Sequence, residues 1–252
     1  MSRLYHELAE EYHLMYQGIF DYQAEYETHR AIFARYGCTR IVELGCGTGN
    51  LAAPFTSAGY SYTGSDASPE MIDIARRLRP GADFVVSDMR SLAELSGPDG
   101  KAPFDAAFCC GRSFTYMTGN GDVLACLRAV NRALKEGGLF VLDNFLASAI
   151  FGDFPEHVEN RSELEGMTIT RISENSPNLE TGWTWNWNAT YLIEKADGET
   201  RRVSDPSVLR AFLPEELSLF LSLTGFDTME NELDRFSFRT TARKRTSAKE
   251  PL

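Results

Sequence analysis

Several kinds of site are missing from this chain of 252 residues, and each absence excludes a class of protein. No apolar run reaches the roughly 18–20 residues that a membrane helix needs, so we expect no membrane span. The five cysteines include no Cys-x-x-Cys pair and the four histidines show no paired spacing, which predicts neither a disulfide framework nor a metal site. With 25 Lys and Arg against 36 Asp and Glu, the net charge of −11 disfavours nucleic acid and anionic membranes as partners.

The remaining composition is that of an ordinary globular chain, with 43% hydrophobic and 24% charged residues. The cysteines fall mostly inside apolar or helical patterns, as is typical of reduced, buried thiols. The first residues show no apolar stretch of the kind found in signal peptides. We therefore expect a cytoplasmic protein with one substantial domain and an elaboration.

Short apolar runs alternate with amphipathic stretches through the middle of the chain. This alternation predicts a doubly wound α/β layer with helices on both faces of a parallel sheet. Ser68 and Pro69 have the residue types preferred at the N-cap and first position of a helix, and Pro80 with Gly81 predicts its end. The predicted strands lie at 40–44, 60–65, 83–87, 104–110, 139–143, 226–231 and 235–242, and further helices at 21–36, 49–58, 121–135 and 214–224.

Other patterns flank this layer and divide the chain. Period-two alternation over 167–172 and 183–191, followed by an Asp197-Gly198 turn into 200–209, predicts a three-stranded antiparallel insert. A Gly/Pro-rich loop is predicted at 96–100. The predicted organisation is an N-terminal helical lid at 1–36, an α/β domain formed by 37–147 and 212–243, a cap insert at 148–211 and a disordered tail at 244–252.

A glycine-rich turn links the first predicted strand to the helix after it. Gly45, Gly47 and Gly49 allow the backbone to approach a ligand closely, although a tight strand-to-helix turn alone would also use them. Glu43 lies within the strand, two residues before the first glycine. Asp66 ends the second strand, at the edge of the sheet where a carboxylate can accept both hydroxyls of a ribose.

The motifs of phosphate-bearing nucleotides are not found around this turn. The glycines run Gly-x-Gly-x-Gly, without Gly-Lys-Ser/Thr or Gly-x-Gly-x-x-Gly, and Glu43 would repel a pyrophosphate. Asp88 and Met89 follow the third strand and suit the amine and the ring face of an adenine. A cofactor with a cationic amino group and no phosphate therefore fits best, and S-adenosylmethionine meets these requirements; a nicotinamide-dependent oxidoreductase is the alternative.

Five segments in order resemble the class I S-adenosylmethionine-dependent methyltransferases, at 42–50, 64–72, 86–89, 104–110 and 134–138. The chain resembles in particular the small-molecule branch typified by sugar-amine N,N-dimethyltransferases. That branch has a Tyr-acid-x-x-Tyr segment, an antiparallel insert and a Ser-x-x-His-Met stretch. Here His13 stands in place of the acid and Tyr116 in place of the histidine. The resemblance implies a Rossmann-like seven-stranded sheet carrying the lid and the insert.

The resemblance also implies roles for single residues. The three glycines would line the methionine and ribose portion of the cofactor, and Glu43 would order the loop or reach the amino group through water. Asp66 would hold the ribose hydroxyls, Asp88 the adenine amine, and Met89 would pack on the adenine ring. The other expected cofactor-binding residues are Tyr12, Tyr16, Cys46, Ala67 and Cys110.

Several side chains have both a functional and a structural interpretation. Tyr12 and Tyr16 could stabilise a sulfonium charge or simply pack, and His13 could remove a proton or be a solvated helix residue. Tyr116 could orient the substrate. Arg112 could contact a substrate carboxylate or form a surface salt bridge. Trp183, Trp185 and Trp187 would share one sheet face, as a roof over an apolar substrate or as core.

These observations predict a methyltransferase that acts on a small molecule, with an amine nitrogen favoured over a hydroxyl oxygen. O-methylation of a natural-product hydroxyl and a non-catalytic cofactor-binding scaffold are the alternatives. The Asp/Asn-Pro-Pro-aromatic motif of enzymes that methylate bases is not found after the fourth strand, which argues against a nucleic-acid substrate. A homodimer is compatible with the sequence, and no metal is expected.

Overall fold

The computed structural model describes residues 2–92, 95, 103–164 and 166–246. Its helices are α1 (Ala9–Ile19), α2 (Tyr22–Arg35), α3 (Ala52–Ser57), α4 (Pro69–Leu78), α5 (Asn120–Ala133), α6 (Ala147–Ile150) and α7 (Pro214–Leu223). The strands are β1 (Arg40–Leu44), β2 (Ser61–Asp66), β3 (Asp83–Val86), β4 (Phe104–Cys109), β5 (Leu134–Phe145), β6 (His157–Leu164), β7 (Met167–Pro177), β8 (Trp183–Lys195), β9 (Thr200–Ala211), β10 (Phe226–Leu233) and β11 (Ser237–Lys244).

The larger sheet confirms the predicted seven-stranded α/β layer. Within the described residues its order is β10-β11-β5-β4-β1-β2-β3, with β1 to β5 parallel and the last two strands antiparallel. The chain fills one side of β1 with β2 and β3 and then crosses to β4 on the other side. Such a switch point leaves a crevice at the carboxyl ends of the strands, where α/β sheets bind ligands.

Helix α4 shows how the sequence determines this layer. The Ser68 hydroxyl accepts the N–H of Met71, Pro69 occupies the first helical turn, and Ile72 and Ala75 on the apolar face are fully buried. The predicted N-cap is therefore confirmed. This N-cap also fixes the backbone directly after Asp66, the last residue of β2.

The insert contains four strands where three were predicted. Its antiparallel order is β6-β7-β8-β9, and the missed strand is β6 at the edge. Only two residues of β6, Val158 and Leu164, are apolar, and none of its residues is fully buried. An edge strand of this kind shows too little hydrophobic alternation to be recognised, because its backbone pairing with β7 rather than side-chain burial holds it.

The two N-terminal helices pack against different parts of the molecule. Phe33 of α2 is fully buried among aromatic side chains on one face of the larger sheet. Met15 of α1 is buried against the insert. The chain before α1 is tied to β9, because the carboxylate of Asp205 accepts the Ser2 hydroxyl at 2.5 Å and the Arg3 N–H at 2.7 Å.

Some predictions fall at or beyond the limits of the described chain. Lys244, assigned to a disordered tail, is the last residue of β11 and pairs with Phe226. Residues 247–252 of that tail, and the whole predicted loop 96–100, lie outside the described residues. No helix in the described parts is long and apolar enough to cross a membrane.

Candidate active site

A cavity of about 690 Å³ opens at the carboxyl ends of β1 to β4, under the N-terminal segment and beside the insert. We call its sheet side the cofactor half, which contains Glu43, Gly45, Cys46, Gly47, Asp66, Ala67, Asp88, Met89 and Cys110. We call the side toward the insert the cap half, which contains Arg112, Phe145, Arg171, Ser173, Asn175, Trp185 and Trp187. Five tyrosines also line the cavity: Tyr22 and a group of four, Tyr5, Tyr12, Tyr16 and Tyr116.

Two of the three predicted glycines line the cofactor half. Gly45 has a φ of +68°, and a Cβ atom there would lie 2.6 Å from the Cβ of Ser113. Gly47 has a φ of +53°, and a Cβ atom would point toward the ring of Tyr12 at 3.7 Å. Gly49 does not line the cavity; its missing side chain makes room for Phe84, 2.7 Å from the ideal Cβ position.

Asp66 is fixed at the end of β2 by the backbone around it. One carboxylate oxygen accepts the N–H of Gly47 and the other the N–H of Ser68, both at 2.9 Å. Burial raises the pKa of Asp66, and these two hydrogen bonds oppose that rise by stabilising the charged form. Each oxygen keeps a further lone pair, so the carboxylate can still accept hydroxyl groups from a ligand in the cavity.

Glu43 is buried beneath the glycine turn rather than bonded to its backbone. Its carboxylate accepts the hydroxyl of Tyr62 at 2.5 Å and the thiol of Cys110 at 3.4 Å. Burial raises the pKa of Glu43 to about 7, and these hydrogen bonds only partly offset the rise. The carboxyl therefore titrates near neutral pH inside the cofactor half.

Asp88 is held by an arginine of its own loop. The Arg90 guanidinium donates to both Asp88 oxygens, at 2.6 to 3.1 Å, and also reaches Asp122 at 3.1 Å. These hydrogen bonds hold the pKa of Asp88 below its usual value, so the group is ionised. Met89 follows it, with its terminal methyl 3.7 Å from the ideal Cβ position of Gly45.

The cofactor half fits an adenosyl group with a cationic tail better than a dinucleotide. It presents three carboxyl groups, of Glu43, Asp66 and Asp88, and its one lining arginine is already paired with Asp88. A pyrophosphate would meet repulsion here, whereas ribose hydroxyls and amino groups are donors that match carboxylate acceptors. The donor and acceptor chemistry therefore agrees with S-adenosylmethionine.

The four tyrosines form one contiguous cluster. Tyr12 stacks on Tyr16 with ring centroids 4.2 Å apart, and Tyr5 meets Tyr12 edge-on at 5.5 Å. The hydroxyls of Tyr5 and Tyr116 lie 2.9 Å apart. Burial raises the pKa of Tyr5, Tyr12 and Tyr116 above the ordinary tyrosine value, so these hydroxyls stay protonated and act as neutral hydrogen-bonding groups.

Tyr5 lines the cavity, although no sequence motif indicates it. It lies outside the matched motifs, and its position seven residues before Tyr12 was the one available signal. The main-chain carbonyl of Tyr5 accepts the Ser68 hydroxyl at 2.6 Å, which joins the N-terminal segment to the residues that hold Asp66.

His13 is not brought to the cavity with Tyr116. Its Nδ1 lies 2.8 Å from the hydroxyl oxygen of Thr48, a buried residue of the glycine turn, and partial burial lowers the pKa of His13. All four histidines of the chain are among the described residues, and none of them lines the cavity. The structure therefore provides no histidine in contact with the cavity as a candidate base.

The tryptophan stripe on β8 divides between the two interpretations. Trp185 is buried and meets Phe145 edge-on at 5.3 Å, and both it and Trp187 line the cap half. Trp183 does not line it and packs on Phe151 at 5.5 Å. The stripe is therefore core at one end and cavity wall at the other.

Comparison with known proteins agrees with this geometry. Residues 41–138 match a family model described as a methyltransferase domain. The chain is 31% identical over 117 residues to the putative methyltransferase YqeM of Bacillus subtilis, a match that covers 46% of this chain and 47% of that protein. The match to this relative thus spans about half of its length.

Two further similarities extend beyond that domain. The chain is 27% identical over 179 residues to dTDP-3-amino-3,6-dideoxy-alpha-D-glucopyranose N,N-dimethyltransferase of Streptomyces fradiae, which covers 68% of this chain and 65% of that enzyme. The solved structure of the sugar N-methyltransferase KedS8 from Streptoalloteichus superposes with a TM-score of 0.77 at 26% identity. It covers 94% of this chain and 93% of its own, so the similarity includes the insert and the N-terminal segment.

Proposed function

The chain carries a class I S-adenosylmethionine-dependent methyltransferase domain, and we propose that it transfers a methyl group to an amine of a small molecule bound in the cap half. The observation that carries the proposal is one continuous cavity, which runs from the Gly45 turn and Asp66 to the aromatic wall of the insert. The sugar N-methyltransferases to which the chain is similar support an amine as the acceptor.

The cofactor half would hold the methyl donor through its fixed backbone and its carboxylates. We propose that Asp66 accepts hydrogen bonds from the ribose hydroxyls and that Met89 packs on the adenine. The backbone turn at Gly45 and Gly47 would lie against the methionine portion. Asp88 keeps acceptor capacity beside Arg90 for the adenine amine. Tyr12 and Tyr16 offer aromatic faces to the sulfonium charge.

S-adenosylmethionine supplies a methyl carbon that its sulfonium has already activated, so the protein's task is to position the amine and exclude water. The Tyr5 and Tyr116 hydroxyls can hold a neutral amine by accepting its N–H, which directs its lone pair into the cavity. Because both hydroxyls stay protonated near neutral pH, neither is a strong base.

The absence of a histidine or carboxylate from the described residues of the cap half is the reason to prefer an amine over a hydroxyl. A hydroxyl must lose its proton as it is methylated, and none of the described residues in the cap half is a histidine or a carboxylate. A neutral amine attacks through an existing lone pair and releases its proton afterwards to solvent. O-methylation is therefore the disfavoured alternative.

The test is methyl transfer from labelled S-adenosylmethionine to matched pairs of amines and alcohols with the same carbon skeleton. We expect label in the amine products and equimolar S-adenosylhomocysteine. Label in the alcohol products alone would replace the proposal with O-methylation. Cofactor binding without turnover on either series would support a scaffold instead.

We also propose that the protein works in the cytoplasm on small molecules and not on nucleic acid. All five cysteines are buried free thiols, and the net charge is −11. Fractionation of the native host and a filter-binding assay with DNA and RNA test both statements. A homodimer stays a prediction that light scattering on the purified chain can decide.

A further inference from the structure

Aromatic rings form a large part of the cavity wall on the side of the insert. Five of them line the cavity there, and we call this group the ring wall: Phe145, Phe154, Trp185, Trp187 and Phe236. They belong to β5, to β8 and to the segments before β6 and β11, so the fold brings them together from distant parts of the sequence. Apolar and aromatic side chains that converge on a concave surface are typical of a binding site for a small molecule.

Contacts between rings hold four of these side chains in place. Phe145 meets Trp185 edge-on at 5.3 Å, and Phe154 meets Phe145 at 6.3 Å and Phe236 at 5.6 Å, also edge-on. Trp187 lies two positions after Trp185 on β8, so the alternation of the strand places both on one face. Because these rings are packed before a ligand arrives, a ligand that covers them loses little binding energy to ordering them.

The ring wall keeps apolar surface accessible. Trp185 is buried, whereas the other four rings are half-buried. Aromatic surface that is left accessible in a cavity gains stability when an apolar group covers it and displaces water. A ligand with an apolar face of its own is therefore favoured on this side of the cavity.

The positive charge of Arg112 has partners within the protein. Its guanidinium carbon lies 4.8 Å from the centre of the Phe145 ring, and its N–H donates to the carboxylate of Asp143 at 3.0 Å. Burial raises the pKa of Asp143, and the charge of Arg112 offsets part of that rise. Arg112 thus stabilises a buried acid of the protein itself.

The other polar groups beside the ring wall are also engaged or covered. The Arg171 guanidinium lies 5.5 Å from the centre of the Trp187 ring and donates to the Tyr16 hydroxyl at 3.1 Å and to Asn160 at 2.6 Å. Ser173, two positions further along β7, is only 2% exposed. The rings are therefore the main surface that this side of the cavity offers to a ligand.

The ring wall adjoins the position proposed for the amine. Tyr116, whose hydroxyl lies 2.9 Å from that of Tyr5, packs against the same apolar cluster as Trp185 and Phe145. A substrate held at its amine by these hydroxyls can thus place the group that carries the amine against the wall. A ring rich in hydroxyl groups would lose hydrogen bonds to water there without replacing them, whereas an apolar ring has none to lose.

We infer that the substrate is an amine carried by an apolar ring, aromatic or alicyclic, which packs on the ring wall. The inference rests on the proposed function, because it names the class of amine that the same site accepts. Aromatic side chains recognise such a group through their large apolar area and through edge-to-face contacts. An amine without a ring, or on a hydroxylated ring, is then a poorer substrate.

The test compares kcat/KM for two matched pairs of amines, with S-adenosylmethionine as methyl donor and the full chain as enzyme. Benzylamine and methylamine differ by the aromatic ring alone, and cyclohexylamine and glucosamine differ in the polar groups of the ring. We expect the apolar ring to be favoured by about tenfold to a hundredfold in each pair. A preference missing from either pair would overturn the inference while the proposed function stands.

Calorimetry separates the two levels of the account. With S-adenosylhomocysteine saturating, benzylamine should bind, and the absence of both binding and turnover would overturn the inference. If S-adenosylhomocysteine itself does not bind, the proposed function has failed, and the inference fails with it.

Variants of the ring wall locate the effect. Trp187→Ala should lower kcat/KM for benzylamine by about tenfold and leave methylamine unchanged, because only benzylamine reaches the wall. Trp187→Phe, which keeps an aromatic ring, should retain most of the value. Phe236→Ala repeats the test at a position outside the insert.

The matched control is Trp183→Ala, at a tryptophan on the same face of β8 that does not line the cavity. It should leave the preference for benzylamine unchanged. Equal losses for both amines in Trp187→Ala and Phe236→Ala, or the same loss of preference in Trp183→Ala, would overturn the inference.

Discussion

The two halves of the cavity are built in different ways. In the cofactor half, the carboxyl groups lie at or near the carboxyl ends of parallel strands, and protein groups already satisfy part of their hydrogen bonding, as the backbone N–H groups do at Asp66. In the cap half, residues from β5, β7 and β8 converge with Arg112, which follows β4, and several side-chain atoms there, such as Arg112 Nε, have no hydrogen-bond partner among the described residues. The first half is therefore fixed by neighbouring strand ends, whereas the second is assembled from residues that are far apart in the sequence.

The largest effect that we expect is on the free energy of unfolding, and it arises from Glu43, the buried acid of the cofactor half. Glu43 has a pKa of about 7 in the folded protein, against an ordinary 4.5. Its contribution to the stability of the folded state is therefore complete below pH 4.5 and is lost as the pH rises through 7. Glu43→Gln should remove this loss, which is on the order of 3 kcal/mol. Denaturant unfolding of both proteins between pH 4 and 8 measures the difference.

A second buried acid makes the comparison with the variant necessary. Burial raises the pKa of Asp143 to about 6, so it acts in the same direction over an overlapping range of pH. Asp143 is present in both proteins, and its effect cancels in the difference between them. Parallel pH profiles for wild type and Glu43→Gln would show that Glu43 is ionised at little cost.

The second-largest effect is on cofactor affinity, which should depend on the cofactor half and not on the cap half. Asp66→Ala should weaken binding of S-adenosylhomocysteine by about 1–3 kcal/mol, through lost charge-assisted hydrogen bonds. Arg112→Gln should leave this affinity unchanged, because Arg112 belongs to the other half. Calorimetry on both variants makes the comparison, with Asp73→Ala on the exposed face of α4 as the control. Equal losses in the two cavity variants would mean that the cavity does not divide as described.

A smaller effect is expected where the halves meet. Tyr116→Phe keeps the ring but removes the hydroxyl beside Tyr5. The loss should lower kcat/KM for the amine, by an amount that corresponds to about 0.5–1.5 kcal/mol of transition-state stabilisation. Binding of S-adenosylhomocysteine should not change. Tyr60→Phe, whose ring packs on Phe55 and does not line the cavity, serves as the control. Unaltered kinetics with Tyr116→Phe would place the amine elsewhere in the cavity.

The smallest effect belongs to His13. Because this side chain contacts Thr48 and does not line the cavity, His13→Gln should change kcat/KM by less than about 0.5 kcal/mol, the usual limit for a substitution away from a site. The pH dependence of turnover should also be the same in both proteins. A large loss with a flattened pH profile would restore His13 as the proton acceptor.

The same contrast explains what could be predicted from the sequence. Asp66 and Gly45 are found in local motifs, because a parallel strand that ends in a glycine turn presents its next residues to one sheet edge. The cap of α4 at Ser68 was predictable for the same reason. Arg171 and Ser173 have no such motif, since their roles depend on which face of β7 meets the cavity.

Two of the differences between the predictions and the structure have clear physical causes. Strand β6 is held by backbone pairing at an edge and so shows little hydrophobic alternation. His13 stands next to Tyr12 in the sequence, but adjacent helical positions point about 100° apart, and only Tyr12 faces the cavity. Local sequence patterns therefore indicated the residues of the cofactor half, whereas those of the cap half could be found only from the tertiary structure.

The most direct measurement of the central claim is a crystal structure of the chain with S-adenosylhomocysteine bound. The ribose hydroxyls should lie within hydrogen-bonding distance of Asp66, and the sulfur should face Tyr116 and the cap half. An adenosyl group placed away from Asp66, or a sulfur turned from the insert, would contradict the account.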